Sequence, residues 1–490
     1  MTDEARPAVR VAAAAFLDAA FAALTEEHVL PTARYHPHIR VGRDYFGGTI
    51  HVLPEHSELE RALNDEFPDR FSDENPLMER EFPGRYIFNL LEAAIAQSTP
   101  FGEFDSASDA SVSTIDELIA ALERQTCDVA CCRVVSHITT ANDEPVEVAG
   151  VTVVPEHHGV REFERLITKW IPAGSSVFNR DPPFAHNPPN AMLVVSDHGS
   201  NQALYDVPPQ LGAKLERFLL HARLLTGTTA QTFYEVAGPT SLVAPMSPYL
   251  SVSPLDLDAQ VCRVLQLDGS ETDGFHAIAR LLDEAAIARE GMATTSFDTA
   301  LRKFHGSFLA GDPYDRVVDL ATALEAALVS SKKDAEGLSL RLRSRAAALL
   351  STDSDPAQTI FSDITQLYDL RSTLVHGGEL TQKELQKTVR RISTVPDDRA
   401  ESMFGIALGF ALDRLRDLVR RAILARLGLA AGDDPPWPLR GDFPVERHLT
   451  DDATRQQWRN RWRQVLEDTG IGDVADPQQT ALDYLESASR

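Results

Sequence analysis

The stretch PAQTIFSDITQLYDLRSTLVHGG, residues 356–378, decides how the second half of this chain is read. Ile364, Leu367, Tyr368, Arg371 and Val375 recur at i, i+3, i+4, i+7 and i+11, the spacing of one helix face. Leu370 and Leu374 widen that apolar stripe, and Gly377 with Gly378 forms a C-terminal stop signal. Arg371 breaks the pattern. A guanidinium cannot stay unpaired in a dry core, so it must find an acid, line a cleft or meet a partner surface. His376 falls about 140° further round the helix and about 7.5 Å along it, in the last turn. The carbonyl-rich end of a helix raises a histidine's affinity for a proton. A cation beside a histidine titrating near neutrality is suited to phosphate chemistry. The spacing alone also admits a structural reading, in which Arg371 pairs with a carboxylate such as Glu325 or Asp369 and His376 helps cap the helix.

Outward from this stretch, helical periodicity continues on both sides. It predicts helices over SFDTALRKFHGSFL (296–309), DRVVDLATALEAALVSS (315–331), LSLRLRSRAAALLS (338–351), TQKELQKTVRRIS (381–393) and the long segment 399–428. Short polar or Gly/Pro connections separate them, as in a helical bundle over 296–430. After GDDPPWP, a linker signal, residues 431–490 form a tail with one helix, DDATRQQWRNRWRQVLED. Its Trp458 and Trp462 are spaced for docking onto the bundle, the reading preferred over stacking on bases. RDLVRRAILAR (416–426) is expected to be the last bundle helix with a solvated arginine face.

Residues 1–145 read as a mixed α+β region and 146–290 as a second α+β region. FPGRYIFNLLEAAIAQS (82–98) and STIDELIAALERQ (113–125) have helical spacing, whereas HPHIRVGRDYFGGTIHVLP (36–54) looks strand-like with a Gly-Gly turn. DVACCRVVSHITT, VEVAGVTVVP, NAMLVVSDHG and AQTFYEVAG are strand candidates, and PQLGAKLERFLLHARLLTG (209–227) is a helix ended by glycine. NRDPPFAHNPPN is too rich in proline for either element and reads as a loop. The fold class is therefore α+β overall, with N-terminal mixed α/β regions followed by a C-terminal all-α bundle.

Composition narrows the function classes. A net charge of -26 argues against wrapping of nucleic acid by the whole surface. The bundle differs: residues 296–427 carry 19 basic and 18 acidic groups, so this module repels a polyanion least. Cys127, Cys131, Cys132 and nearby His137 lack zinc-ligand spacing and read as buried structural groups. His36, His38, His157 and His158 lie in loop-like segments and are read as solvated, so no metal site is proposed. Arg180 and His186 repeat the Arg–His spacing, but in the proline-rich loop. Neither nucleotide-binding glycine runs nor a nucleophile elbow occur, and no cofactor is expected. VRVAAAAFLDAAFAAL (9–24) is interrupted by Asp18 and reads as an amphipathic helix, with no membrane partner and a cytoplasmic location expected.

LYDLRSTLVHGG resembles the signature of HEPN domains, in particular the Apea-like group, which carries an R-x4–6-H motif on a long helix. The resemblance covers roughly residues 296–427, with DRVVDLATALEAAL resembling the earlier helix that bears an acid, here Glu325. It implies an all-α HEPN-like bundle that forms a homodimer and a composite groove that cleaves RNA without a metal. In that scheme Arg371 holds the scissile phosphate and His376 moves a proton at the ribose. Ser372 orients the phosphate or Arg371, Glu325 positions Arg371 from its own helix, and Tyr368 and Asp369 flank the motif. Defence against virus or stress is the associated role, with a protein or ligand trigger at the N-terminal region. The alternative is a non-catalytic HEPN binding or dimerisation module with an N-terminal sensing domain.

Overall fold

The computed structural model describes residues 6–30, 46–71, 83–98, 104–124, 126–155, 191–200, 207–239, 241, 243, 249–252, 263–287, 294–309, 311–329, 337–375, 381–396, 404–431 and 445–480. The chain is α+β. Among the described residues the longer helices that come first are α1 (Pro7–Glu26), α2 (Pro54–Glu66), α3 (Pro83–Gln97) and α4 (Asp109–Glu123), with a single short turn of helix at Pro68–Phe71 after α2. Prolines open the first three, where a missing N–H costs nothing. Ser108 caps α4 by accepting from the Ser111 backbone N–H. On α1, Val9, Ala13, Phe16, Leu17, Ala20, Phe21 and Leu24 are buried at helical spacing and join α2, α3 and α4 in one apolar cluster. By length and composition α1 is the one helix among the described residues apolar enough to cross a membrane. Its buried stripe is the face packed into this cluster.

One expectation here is corrected. Phe46–Ile50, within the stretch read as strand-like, forms a π-helical turn, and Pro54 then opens α2. Two adjacent glycines permit a tight helical turn as readily as a hairpin, and the alternation around them does not separate the two.

The sheet follows: β1 (Thr126–Val135), β2 (Ile138–Thr140), β3 (Val146–Val148), β4 (Val151–Pro155), β5 (Ala191–Ser200), helix α5 (Val207–Thr226), β6 (Thr232–Pro239), β7 (Tyr249–Val252) and β8 (Leu265–Leu267). Six strands pair in the order β3-β4-β5-β1-β6-β7, all antiparallel, and β2 pairs with β8 in parallel. Ala149 and Gly150, both at positive φ, make the two-residue hairpin turn between β3 and β4. Val129, Cys131 and Val135 of central β1 pack in the same cluster as Leu211, Leu215, Phe218 and Leu219 of α5. Cys131 and Cys132 are buried free thiols; burial pushes Cys131 up to about 12. Cys127's side chain lies outside the described residues.

Helix α6 (Thr272–Ile287) leads to the bundle: α7 (Ser296–Leu309), α8 (Pro313–Leu328), α9 (Leu338–Leu350), α10 (Ala357–Val375), α11 (Gln382–Val389) and α12 (Phe404–Ala430). The expected helices are all present. Beyond them lie α13 (Val445–Thr450), α14 (Asp452–Asp468) and a 3₁₀ turn at Gly472–Ala475. A single apolar cluster joins this bundle with Leu224 of α5, Ala277, Ile278 and Leu281 of α6, and Trp462, Leu466, Ile471 and Ala475 of the C-terminal segment. Trp462 is fully buried and its Nε1 donates to Leu349 O at 3.2 Å, so this indole docks rather than waiting for a base. Gly428 makes that docking close: a Cβ there would sit 2.6 Å from Trp462 Cα.

Every residue from 407 to 429 is buried, so α12 is the central helix. The expected solvated arginine face is therefore overturned. Arg414 reaches Asp355 at 2.7 Å and Asp363 at 2.9 Å; Arg420 and Arg421 reach Asp417 at 2.9 and 3.0 Å; Arg421 also pairs with Asp355. Three arginines thus face three aspartates in the interior. Arg263, beside β8, joins the network by gripping Asp413 through two hydrogen bonds. Arg420 also donates to the carbonyls of Leu224, Val474 and Asp476, and Arg263 donates to that of Gln479. These bonds tie the C-terminal strand of chain across the junction of α5 and α12.

Candidate functional site

Helix α10 carries the motif. Its apolar stripe forms as expected: Ile360, Ile364, Leu367, Tyr368 and Leu370 are buried in the bundle core. Arg371 sits one turn beyond Tyr368, half-buried. Its Nε is shielded from solvent and has no hydrogen-bond partner. Among the described residues Arg371 makes neither a hydrogen bond nor an ion pair, unlike the arginines of α12. Glu325, half-buried on α8, does not reach it; the Tyr368 hydroxyl donates to Glu325 Oε1 instead. Burial first, then the Glu325 hydrogen bond and charge, push the Tyr368 phenol well above its ordinary range, while Arg371 pulls slightly the other way. The phenol is therefore a donor at every ordinary pH. Ser372 and Asp369 are exposed, and Asp369 forms no ion pair with Arg371. His376, Gly377 and Gly378 lie outside the described residues, as do His36, His38, His157, His158, Arg180 and His186.

The structure thus brings Tyr368, Glu325 and Arg371 together and leaves Ser372 at the rim. Neither carboxylate named as a structural partner takes the guanidinium. A half-buried cation that makes no hydrogen bond or ion pair among the described residues can receive an anion through its terminal N–H groups, which match phosphate oxygens.

A second polar cluster escaped the sequence reading. His305 on α7 lies against α5 and the sheet: its Nε2 is 2.6 Å from Glu216 Oε2, and Arg223 Nη1 is 2.9 Å from its Nδ1. Arg133 of β1 pairs with Glu216 at 2.7 Å and with Glu235 of β6. Burial and the Arg223 charge lower His305 to about 4, so the ring is neutral, Nε2–H donating to Glu216 and Nδ1 accepting from Arg223. Burial opposes ionisation of Glu216, but the His305 hydrogen bond and Arg133 outweigh it and take the carboxyl down to about 2. Both ring nitrogens are committed, so this cluster holds α7 to the sheet and offers no free base. No spacing signal marks it, because its directly bonded members lie as far apart as 102 residues. Among the described residues no group of three or more His, Cys, Asp or Glu side chains is arranged to hold a metal.

Compared with known proteins, the chain matches no family, no curated protein and no solved structure.

Proposed function

We propose that the helical module is a HEPN-type RNA-binding unit acting as a metal-independent endoribonuclease, with Arg371 and His376 as its working pair. The observation that supports this is Arg371, which makes no hydrogen bond or ion pair among the described residues on an otherwise apolar stripe, beside a central helix whose arginines are held by carboxylates or backbone carbonyls. A cation left without an acid is matched by an anion supplied from outside. RNA is the polyanion chosen because the bundle's charges balance and because a ribose supplies the nucleophile.

In the reaction a ribose 2′-oxygen attacks the adjacent phosphorus. His376 accepts the 2′-hydroxyl proton, Arg371 stabilises charge gathering on the phosphoryl oxygens, and the bond to the 5′-oxygen breaks as that oxygen takes a proton from water. The products are a 2′,3′-cyclic phosphate and a 5′-hydroxyl. A homodimer through the bundle would place two such pairs along one groove and account for a cation on an apolar face.

One observation favours a non-catalytic version of the same site. Glu325, expected to orient Arg371, is bound to Tyr368, so no described residue fixes the guanidinium plane. Cleavage of end-labelled RNA in EDTA separates the two readings. The parent protein is expected to yield cyclic-phosphate ends, and Arg371→Ala and His376→Ala to lose at least about 100-fold in rate. Equal cleavage by all three proteins rejects the nuclease assignment; RNA binding without cleavage by the parent selects the binding module.

A further inference from the structure

Glu325 is the acid nearest in kind to what Arg371 lacks, yet the two do not pair. A third side chain, Tyr368, stands beside both. It lies three residues before Arg371 on α10, so the two side chains are neighbours on one helix face. Its hydroxyl is bound to the Glu325 carboxylate, and Arg371 is close enough to act on the phenol electrostatically. Tyr368 is itself buried, which fixes the ring and leaves its hydroxyl little freedom to turn elsewhere. The carboxylate is thereby held by a neutral donor while the cation keeps an unfilled inner nitrogen. We propose that Tyr368 is a positioning residue that sets the anion affinity of Arg371, by holding Glu325 away from the guanidinium. In its absence Glu325 swings to Arg371, satisfies the cation internally and sets a negative charge against any incoming phosphate.

This inference rests on Arg371 being the anion-binding group, and the test keeps the two apart. Fluorescence anisotropy of a labelled single-stranded RNA is measured on the full chain for the parent, Tyr368→Phe, Glu325→Gln, Arg371→Ala and the Tyr368→Phe/Glu325→Gln double variant. Far-UV circular dichroism and melting verify the fold of each. Tyr368→Phe is expected to weaken RNA binding about tenfold, the equivalent of losing one charge-assisted contact of about 1.4 kcal/mol. The double variant is expected to return to within about twofold of Glu325→Gln, because a neutral amide cannot compete for the cation. Glu325→Gln alone keeps an acceptor for Tyr368 and is expected to bind at least as tightly as the parent. A merely structural tyrosine predicts no rescue by a change at Glu325. Arg371→Ala binding as well as the parent overturns the Arg371 reading itself. Arg371→Ala weakening while Tyr368→Phe binds like the parent, or while the double variant stays weak, overturns the role of Tyr368 alone. Should Tyr368→Phe fail to fold, Glu325→Gln decides: a loss matching Arg371→Ala would mean that Glu325 supports the cation, and the inference falls.

Discussion

Asp417→Asn measures what an unbalanced charge costs inside α12. Asp417 and Arg420 are an i,i+3 pair whose side chains are 6% and 2% exposed. On α14, Asp452 and Arg455 repeat the spacing with side chains 89% and 29% exposed. The two pairs share a geometry along the helix and differ in surroundings. Burial works against the Asp417 charge, yet Arg421, Arg420 and Arg414 bring its carboxyl down to about 2, so it is ionised at neutral pH. Replacing it with asparagine leaves Arg414, Arg420 and Arg421 facing only Asp355 and Asp363. Breaking one partner of a buried pair costs about 3–5 kcal/mol. Spread over the unfolding entropy of a 490-residue chain, at about 1 °C per kcal/mol, the melting temperature should fall by about 3–5 °C. Asp452→Asn should leave it almost unchanged, because water screens the exposed pair. Thermal melts followed by far-UV circular dichroism read both variants. Equal shifts, or a shift of under about 2 °C for Asp417→Asn, would show that the buried charges are not the balanced network described.

Further outcomes follow from other features. Gly428→Ala should destabilise the chain by about 1–3 kcal/mol and alter tryptophan emission, since the new methyl meets the backbone of Trp462; an unchanged urea midpoint would contradict the close approach. Trp462→Ala, emptying a fully buried site, should cost about 3–5 kcal/mol in the same assay, and a cost below about 1 kcal/mol would argue against its core position. His56, His137, His221 and His305 are each lowered, first by burial, from 6.5 to about 4. The unfolded chain then holds more protons between those values, so stability is full above pH 6.5 and declines as pH falls toward 4; a flat melting temperature across that window would refute it. Cys131 and Cys132 should resist iodoacetamide in the native chain and react only after denaturation, as read by peptide mass mapping; rapid native alkylation would contradict their burial.

What the sequence made legible was local. The stripe on α10, the docking of Trp462 and the helix order of the bundle all follow from residues a few positions apart, where periodicity carries the information. The arginines of α12 read as solvated because nothing within their own segment shows that Asp355 and Asp363 lie against them. Those aspartates are 59 and 51 residues from Arg414, and only the tertiary fold decides that this helix runs through the centre. The cluster around His305 was invisible for the same reason. At the candidate site, Arg371, Tyr368 and Glu325 could all be named in advance. The sequence could not tell which of the two donors the carboxylate would take, since that depends on packing of α8 against α10.

The carbonyls that hold Arg420 have a bearing on how the protein is made. Asp476 is translated 56 residues after Arg420, which at ordinary synthesis speeds is a delay of roughly 3 to 11 s. Throughout that interval the nascent central helix bears a guanidinium with some of its final acceptors still to come. The hydrogen bonding of the central helix is therefore completed only after residues well beyond it have been made. A product terminated before Val474 would lack two of the carbonyls that hold Arg420 and keep only Asp417 and the Leu224 carbonyl.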